Sequence, residues 1–124
     1  MKILNILFIL FLLIMSSCKN PKGEIEYIDI YTTTARSISC ENLKKAKYKK
    51  KVLLSTPENH KLLKLITTLK PADSDWNIDA RLYGFVYDGS EKLNFCMSTT
   101  IIEINNKKFF VDDELRDYIV KLTN

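Results

Sequence analysis

Glycine and histidine are scarce in this chain, which has three glycines and one histidine among 124 residues. A loop that cradles phosphate needs several closely spaced glycines, so the sequence excludes that class of nucleotide site. The single histidine, His60, falls in the first turns of a predicted helix, on its polar side. A nucleophilic centre needs a base and usually a group that orients it, and His60 has no identifiable companion. We therefore expect an ordinary surface residue, no catalytic or metal site, and no enzyme.

Long apolar runs are also missing, except for one at the amino terminus. It extends from Ile3 to Met15, is interrupted only by Asn5, and follows the charged Lys2. The run is shorter than the ~20 residues that a permanent membrane helix needs. A charged start, a short apolar middle and small residues at the end are typical of a secretory signal peptide. We expect residues 1–17 to be a removable leader.

Cysteine is rare as well, and one of the three cysteines directly follows this leader. The stretch Met15-Ser16-Ser17-Cys18 resembles the lipobox of bacterial lipoproteins, in which small residues precede a cysteine. The resemblance implies that Cys18 is acylated and becomes the first residue of the mature chain. Two or three acyl chains hold a protein at a membrane almost permanently. Residues 18–23 would then form the lipid anchor and a short spacer.

The residue after Cys18 bears on the destination of such a lipoprotein. In this family an aspartate at that position often retains the protein in the inner membrane, whereas Lys19 occupies it here. The acidic cluster that sends some lipoproteins to the cell surface is missing from the following residues. The resemblance therefore implies a place in the cell envelope, at the outer membrane facing the periplasm rather than in the inner membrane or at the surface.

The charge balance is mildly basic. The formal net charge of +4 becomes 4 − 1 = +3 when Lys2 is removed with the leader. This value does not indicate a nucleic-acid binder, and export makes nucleic acid an unsuitable partner. Residues 24–124 are enough for a single small domain and too few for two.

Two cysteines, Cys40 and Cys96, remain once Cys18 carries lipid. An oxidising compartment favours a single disulfide between them. Two free buried thiols, or a pair of metal ligands that lacks further partners, are the alternatives.

The first half of the chain contains strand and helix signals. Alternating acidic and apolar residues predict a strand over 24–31, and the run VLLST at 52–56 predicts a second. Thr56 is the expected N-cap of a helix with Pro57 at its first position, and Pro71 marks its end. The apolar stripe of this helix consists of Leu62, Leu65, Ile66 and Leu69.

The second half predicts four strands, over 77–88, 91–98, 100–104 and 107–111, and a final helix capped by Asp112. Turns at Asp88-Gly89 and Asn105-Asn106 indicate antiparallel hairpins. The expected fold class is α+β, a mostly antiparallel sheet with two helices in the order β-β-α-β-β-β-β-α. The inner stripe of the final helix is expected to comprise Leu115, Tyr118, Ile119 and Leu122.

Alternation along the strand at 77–88 divides its side chains between two faces. Ile78, Ala80, Leu82, Gly84 and Val86 would share one of them. A row of aromatic residues would occupy the other face: Tyr83, Phe85 and Tyr87. Two helices are enough to cover only one face of the sheet, so this second face would be either solvated or offered to a partner.

The stretch DSDWNID places an oxygen at every second residue, as the opening of a calcium loop does. The four residues are Asp73, Asp75, Asn77 and Asp79. However, Ile78 and Gly84 stand where that motif needs its turn glycine and its closing acid. We therefore expect a polar loop that enters a strand, and no bound metal or other cofactor.

The clearest charged feature is KKAKYKKK, residues 44–51, which holds six lysines. It could bind anionic lipid headgroups, an acidic protein or an anionic wall polymer. Alternatively, it is a solvated surface balanced by acidic residues elsewhere in the chain. The candidate residues for an anionic partner are Lys44, Lys45, Lys47, Lys49, Lys50 and Lys51.

These observations favour a membrane-anchored, non-enzymatic binding module whose partner is a protein rather than a small molecule. In size, anchor and cysteine pair the chain resembles small exported lipoproteins, some of which act as inhibitors or as immunity proteins that neutralise a toxin. A structural or assembly factor of the cell envelope is the alternative. An envelope hydrolase is the least favoured class, because no nucleophile and base pair can be nominated.

Overall fold

The computed structural model describes residues 2–16 and 22–124 of the chain. The described residues form four helices and six strands. The helices are α1 (Lys2–Ser16), α2 (Cys40–Lys45), α3 (Thr56–Ile66) and α4 (Asp113–Thr123). The strands are β1 (Glu24–Tyr27), β2 (Lys50–Leu53), β3 (Leu82–Asp88), β4 (Glu91–Met97), β5 (Ile101–Ile104) and β6 (Lys107–Phe110).

The six strands form one sheet in the order β2-β1-β3-β4-β5-β6, in which every pair of neighbours is antiparallel. This arrangement confirms a mixed helical and antiparallel-sheet fold. The structure has four helices instead of the expected two. Helix α1 lies within residues 1–17, which were set apart from the predicted domain, and α2 is an additional helix between β1 and β2. With six residues and one buried side chain, Leu43, α2 is too short to show an apolar period.

The main core lies between one face of the sheet and helices α3 and α4. Their predicted apolar stripes are buried, except that Leu122 is only partly covered. They pack against fully buried strand residues such as Ile25, Val86 and Ile102. Burying a large aliphatic side chain contributes about 1.5–3 kcal/mol, so this contact supplies most of the driving force for folding.

Helix α3 begins one residue earlier than its sequence suggested. Ser55, not Thr56, is the N-cap, and its hydroxyl accepts from the backbone N–H of Glu58. The Glu58 carboxylate accepts in return from the N–H of Ser55, and these hydrogen bonds lower the pKa of Glu58. Thr56 was a plausible choice because both residues have a hydroxyl, but only Ser55 has Glu58 three positions later. The helix ends at Ile66, well before Pro71, which instead forms an isolated bridge with Phe109.

Strand β3 begins at Leu82, five residues later than expected. Leu82 and Val86 belong to the main core, as the alternation predicted. Ile78 and Ala80 do not share their face, and pack instead in a second cluster with Tyr83. The predicted common face was therefore wrong at its first two positions, because period-two alternation holds only where the backbone is extended in the sheet.

The turn at Asn105-Asn106 and the cap of the final helix are confirmed, whereas the turn predicted at Asp88-Gly89 lies one residue later, at Gly89-Ser90, because Asp88 still pairs with Glu91. Asn105 and Asn106 both have positive φ, 46° and 70°, as a two-residue turn of the favoured hand requires. Gly89 also has positive φ, 60°, between β3 and β4. The Asp112 carboxylate caps α4 by accepting from the N–H of Leu115 at 2.8 Å.

Candidate functional site

The sheet face that carries Tyr83, Phe85 and Tyr87, which we call the outer face, is partly covered. A disulfide joins Cys40, at the start of α2, to Cys96 on β4, with the two Cα atoms 6.1 Å apart. It confirms the predicted pairing and holds α2 over this face. The small cluster beneath the helix comprises Leu43, Ala80 and Cys96, with Ile28, Ile38, Cys40, Ile78 and Tyr83 packed against it. The outer face is therefore neither fully solvated nor wholly free for a partner.

The uncovered part of the outer face forms an open groove of about 360 Å³ beside α2. Phe85 packs edge-to-face on Tyr87, with ring centroids 5.7 Å apart, and the Lys92 ammonium lies 4.0 Å from the Phe85 ring centre. Mixed charges and amides surround these rings, including Glu24, Glu26, Lys44, Asn94, Glu103 and Asn105. The groove can therefore offer aromatic and polar contacts, and three of its four charged lining residues are carboxylates.

The six lysines of the candidate anionic site do not form one surface. Lys44 and Lys45 lie in the last turn of α2, Lys47 and Lys49 follow in the connection, and Lys50 and Lys51 lie in β2.

Lys49 differs from the other five lysines, because its side chain points inward and is bonded within the protein. Its ammonium donates to the backbone oxygen of Lys44 and to the hydroxyl of Tyr83, both at 2.6 Å, and lies 3.8 Å from the Glu26 carboxylate. Its side chain is only 13% exposed. The Tyr83 hydroxyl donates to Glu26, and burial together with this carboxylate raises the pKa of Tyr83. Lys49 thereby joins the end of α2 to strands β1 and β3.

The other five lysines are exposed, and two of them have local contacts. Lys51 lies 3.5 Å from the Glu24 carboxylate, and Lys44 lies 5.9 Å from the ring centre of Tyr83. Within the described part of the chain, no carboxylate lies within 4.0 Å of the remaining three ammonium groups, those of Lys45, Lys47 and Lys50. These three lysines are available to an anionic partner.

Strand β2 is an open edge of the sheet. At the opposite edge, the segment Lys70–Ala72 covers β6, because Phe110 N–H donates to the Lys70 oxygen and Ala72 N–H donates to the Lys108 oxygen. No strand among the described residues pairs with β2 on the side away from β1. Two apolar side chains are exposed beside this edge: Leu53 at 72% and Tyr48 at 92%.

A cavity of about 590 Å³ adjoins this open edge where Tyr27, Tyr31 and Tyr48 meet the end of α4. Lys50 lines it on the β2 side, and Asp29 supplies a carboxylate. Tyr31 is 63% exposed, so the ring is accessible from solvent. Tyrosine combines a large apolar surface with a polar hydroxyl, as residues at protein interfaces often do.

The remaining candidates from the sequence take ordinary positions. His60 is exposed on α3, and Asp112 and Asp113 lie at the start of α4, where the helix dipole favours negative charge. Among residues 2–16 and 22–124, no three His, Cys, Asp or Glu side chains gather as ligands for a metal. Cys18 lies outside the described residues.

Basic side chains of the protein, those of Lys108 and Arg81, hold the DSDWNID segment in place. The Lys108 ammonium donates to the backbone oxygens of Ser74 and Trp76 at 2.7 and 2.5 Å. Asp79 accepts two hydrogen bonds from the buried Arg81 guanidinium, at 2.7 and 3.0 Å. These bonds and one from the N–H of Ile38 lower the pKa of Asp79 despite its partial desolvation.

Sequence reasoning missed Arg81 as a structural centre. Its guanidinium also donates to the Thr32 oxygen at 3.0 Å and approaches the Thr34 hydroxyl at 3.4 Å. It thus connects the start of β3 to the long segment between β1 and α2. The sequence offered one signal for this ion pair, which is that Asp79 and Arg81 are two residues apart. Any strand places residues at that spacing on one face, so the spacing alone did not indicate that Arg81 connects two segments.

The chain also has an exposed aromatic pair that the sequence did not reveal. Trp76, its single tryptophan, is 51% exposed and packs edge-to-face on Phe110, with ring centroids 5.9 Å apart. The contact joins residues 34 positions apart, so no local pattern predicts it. Because Lys108 holds the Trp76 backbone, this aromatic surface is preformed.

No described helix is both long and apolar enough to span a membrane. A scan against protein-family models found no match, and searches of the curated proteins and of the solved structures found none either.

Proposed function

We propose that this protein is a membrane-anchored, non-enzymatic module that binds another protein, in the manner of an inhibitor or an immunity protein. The observation that carries the proposal is a set of three exposed lysines that lead from the end of α2 into the open edge strand β2, and we call this set the basic edge: Lys45, Lys47 and Lys50. Within the described residues, none of the three has a carboxylate within 4.0 Å. Charged surfaces of this kind speed association and select partners of opposite charge.

Exposed aromatic residues beside the basic edge support a protein partner. Tyr48 and Tyr31 flank a cavity next to β2, and tyrosine is enriched at the energetic centres of protein interfaces. A wall polymer would need repeated charges over a longer surface, whereas this surface is short and combines charge with apolar area. The signal-like leader and the lipobox resemblance support anchoring through Cys18 at the periplasmic side of the outer membrane.

The experiment is co-purification of the full chain from envelope fractions, followed by a quantitative binding assay with the recovered protein. We expect one soluble partner whose affinity falls in the triple variant of the basic edge with Lys45, Lys47 and Lys50 changed to Gln. Added salt should weaken binding in the same way, because exposed charge pairs are screened. The matched control removes three exposed lysines elsewhere, by changing Lys64, Lys70 and Lys107 to Gln.

The outcome separates the proposed function from its alternative. Co-purification with wall polymer or with an outer-membrane assembly, rather than with one soluble protein, would favour a structural or assembly factor of the envelope. A partner whose binding is equal in the wild type and the basic-edge variant would remove the observation on which the proposal depends.

A further inference from the structure

We propose that β2 binds an acidic, extended segment of the partner, which adds to the sheet as a further strand next to β2. This inference rests on the proposed protein-binding function and specifies how the partner is recognised. It depends on three features of the same edge: unpaired backbone groups, unpaired lysines and an adjacent tyrosine-lined cavity.

The backbone geometry leaves alternate residues of β2 free. Leu54 N–H donates to the Gly23 oxygen at 2.9 Å, and Val52 lies opposite Ile25 two positions earlier. In an antiparallel pair the residues that bond the neighbouring strand alternate with residues that do not. The N–H and C=O groups of Lys51 and Leu53 therefore point away from β1. An incoming strand can use them, as in recognition by β-strand addition.

Charge identifies the incoming strand as acidic. Among the residues that the structure describes, Lys50 has no carboxylate within 4.0 Å, and neither do Lys45 and Lys47, which precede it. Opposite charges on facing strands stabilise the pairing, while like charges destabilise it. A second copy of this chain is therefore a poor occupant, since its lysines would face those of the first. Lysines at a sheet edge discourage such self-pairing, because like charges repel. The same lysines attract an acidic segment.

The cavity beside β2 adds an apolar contact. Tyr31 and Tyr48 line it next to Lys50, and the space of about 590 Å³ can hold a large side chain. Leu53, at 72% exposure, offers a second apolar contact. The partner segment should therefore combine acidic residues with an aromatic or large aliphatic residue.

A synthetic peptide can test this mode of binding before the partner is known. The probe is a short fluorescent peptide in which Glu alternates with Val and Tyr, titrated into the full chain in detergent micelles and followed by anisotropy. The control replaces Glu with Lys at the same spacing. We expect the acidic peptide to bind at least about tenfold more tightly than the basic one, and to protect the amides of Lys51 and Leu53 from hydrogen exchange. Equal affinities, or protection at β6 instead, would overturn the inference.

N-methylated peptides distinguish strand pairing from simple charge attraction. Methylating every second backbone nitrogen of the acidic peptide keeps its charge but blocks one of its two hydrogen-bonding edges. One of the two possible methylated sets should weaken binding about tenfold or more, and the other should bind as the unmodified peptide does. If both sets bind equally well, the peptide is not paired as a strand, and the inference fails.

Protein variants test the same edge from the other side. Changing Leu53 to Pro removes an outward N–H, whereas changing it to Ala removes only the side chain. We expect much weaker peptide binding in the first variant than in the second, provided that thermal melting shows both to be folded. The Gln variant of the basic edge should lose about tenfold in affinity and most of its salt dependence. Wild-type binding in that variant would contradict the predicted charge recognition.

Anionic lipid is the competing ligand class and forms a separate arm of the test. Vesicles rich in anionic lipid should not compete with the acidic peptide at the edge of β2. Binding to vesicles that the basic-edge variant abolishes, together with no binding of the peptide, would assign the lysines to a membrane surface instead. If a purified partner binds more weakly to the basic-edge variant but equally well to Leu53→Pro and Leu53→Ala, this inference fails and the proposed function stands. If no partner binds, the proposed function fails too.

Discussion

The side-chain amide of Asn59 in α3 forms hydrogen bonds with both backbone polar groups of Tyr87 in β3. The Asn59 Nδ2 donates to the Tyr87 oxygen at 3.0 Å, and the Tyr87 N–H donates to the Asn59 Oδ1 at 3.0 Å. The pairing of β1 with β3 ends at Glu24 and Phe85, two positions before Tyr87. Asn59 therefore acts as the missing continuation of β1, and its Oδ1 also accepts from Gly23 N–H at 3.2 Å.

Replacing Asn59 with Ala should strongly destabilise the protein. The change leaves the backbone groups of Tyr87 and the N–H of Gly23 without their partner in a largely buried place, and each unsatisfied group costs about 1–3 kcal/mol. With three such groups, we expect a loss of at least about 3 kcal/mol in the free energy of unfolding measured with urea. Changing the exposed Asn77 to Ala is the control and should cost less than about 0.5 kcal/mol. Similar losses in the two variants would contradict this role of Asn59.

Removing the disulfide should destabilise the fold and free α2 from the outer face. Cys40 and Cys96 are 56 positions apart, and a loop of that size corresponds to about 4 kcal/mol in the chain-entropy model. The variant with both cysteines changed to Ser should lose stability of this order and exchange the amide of Leu43 faster, while amides of α3 change little. Thiol counting on the unfolded, unreduced wild type should find neither Cys40 nor Cys96 free. Two titratable thiols would refute the bond in the natural protein.

Lys49 and Lys47 should respond in opposite ways to neutralisation. Lys49→Gln removes the ammonium that bonds the Lys44 oxygen and the Tyr83 hydroxyl, and hydrogen bonds to a charged group contribute about 1.5–3 kcal/mol. Lys47→Gln changes only an exposed side chain and should cost less than about 0.5 kcal/mol. Thermal unfolding of the two variants is the measurement. Equal melting temperatures would show that Lys49 is no more structural than its neighbour.

Acid should weaken the contact between Asp79 and Arg81. The hydrogen bonds from Arg81 hold the pKa of Asp79 below its usual value of 3.8. A group with a lowered folded-state pKa stabilises the protein fully above its unfolded pKa, and loses this contribution as pH falls through the folded value. Stability should therefore decline below about pH 3.8 more steeply in the wild type than in Asp79→Asn. Asp75→Asn, in the same exposed segment, is the control and should follow the wild-type profile in urea unfolding.

Cys18 should carry lipid in cells. Metabolic labelling with a fatty-acid probe should mark the wild type, and the label should be absent from Cys18→Ala. The same variant should move from the membrane fraction to the soluble fraction, because the acyl chains supply the membrane affinity. Label that remains after the substitution would reject the lipoprotein hypothesis.

Local patterns in the sequence were sufficient for the elements that depend on neighbours along the chain. The two-residue turn at Asn105-Asn106, the cap at Asp112 and the apolar stripes of α3 and α4 were all predicted, because each depends on residues within one or two turns. The six strands and their antiparallel pairing followed from alternation and turn residues, but β1 ends four residues earlier and β3 begins five residues later than predicted. The disulfide was predicted from the number of cysteines, because Cys40 and Cys96 were the two thiols left once Cys18 was assigned to lipid and an oxidising compartment was expected.

Only the tertiary structure decided which side chains the fold brings together from distant positions. It turned Lys49 inward to Tyr83, placed Asn59 beside Tyr87 and directed Arg81 to the segment before α2. It also left β2 as the open edge by covering β6 with residues 70–72. Each of these contacts joins residues more than twenty positions apart, and its geometry depends on strand order and register. A periodic pattern fixes which face a side chain takes on its own element, but it does not fix which element lies opposite.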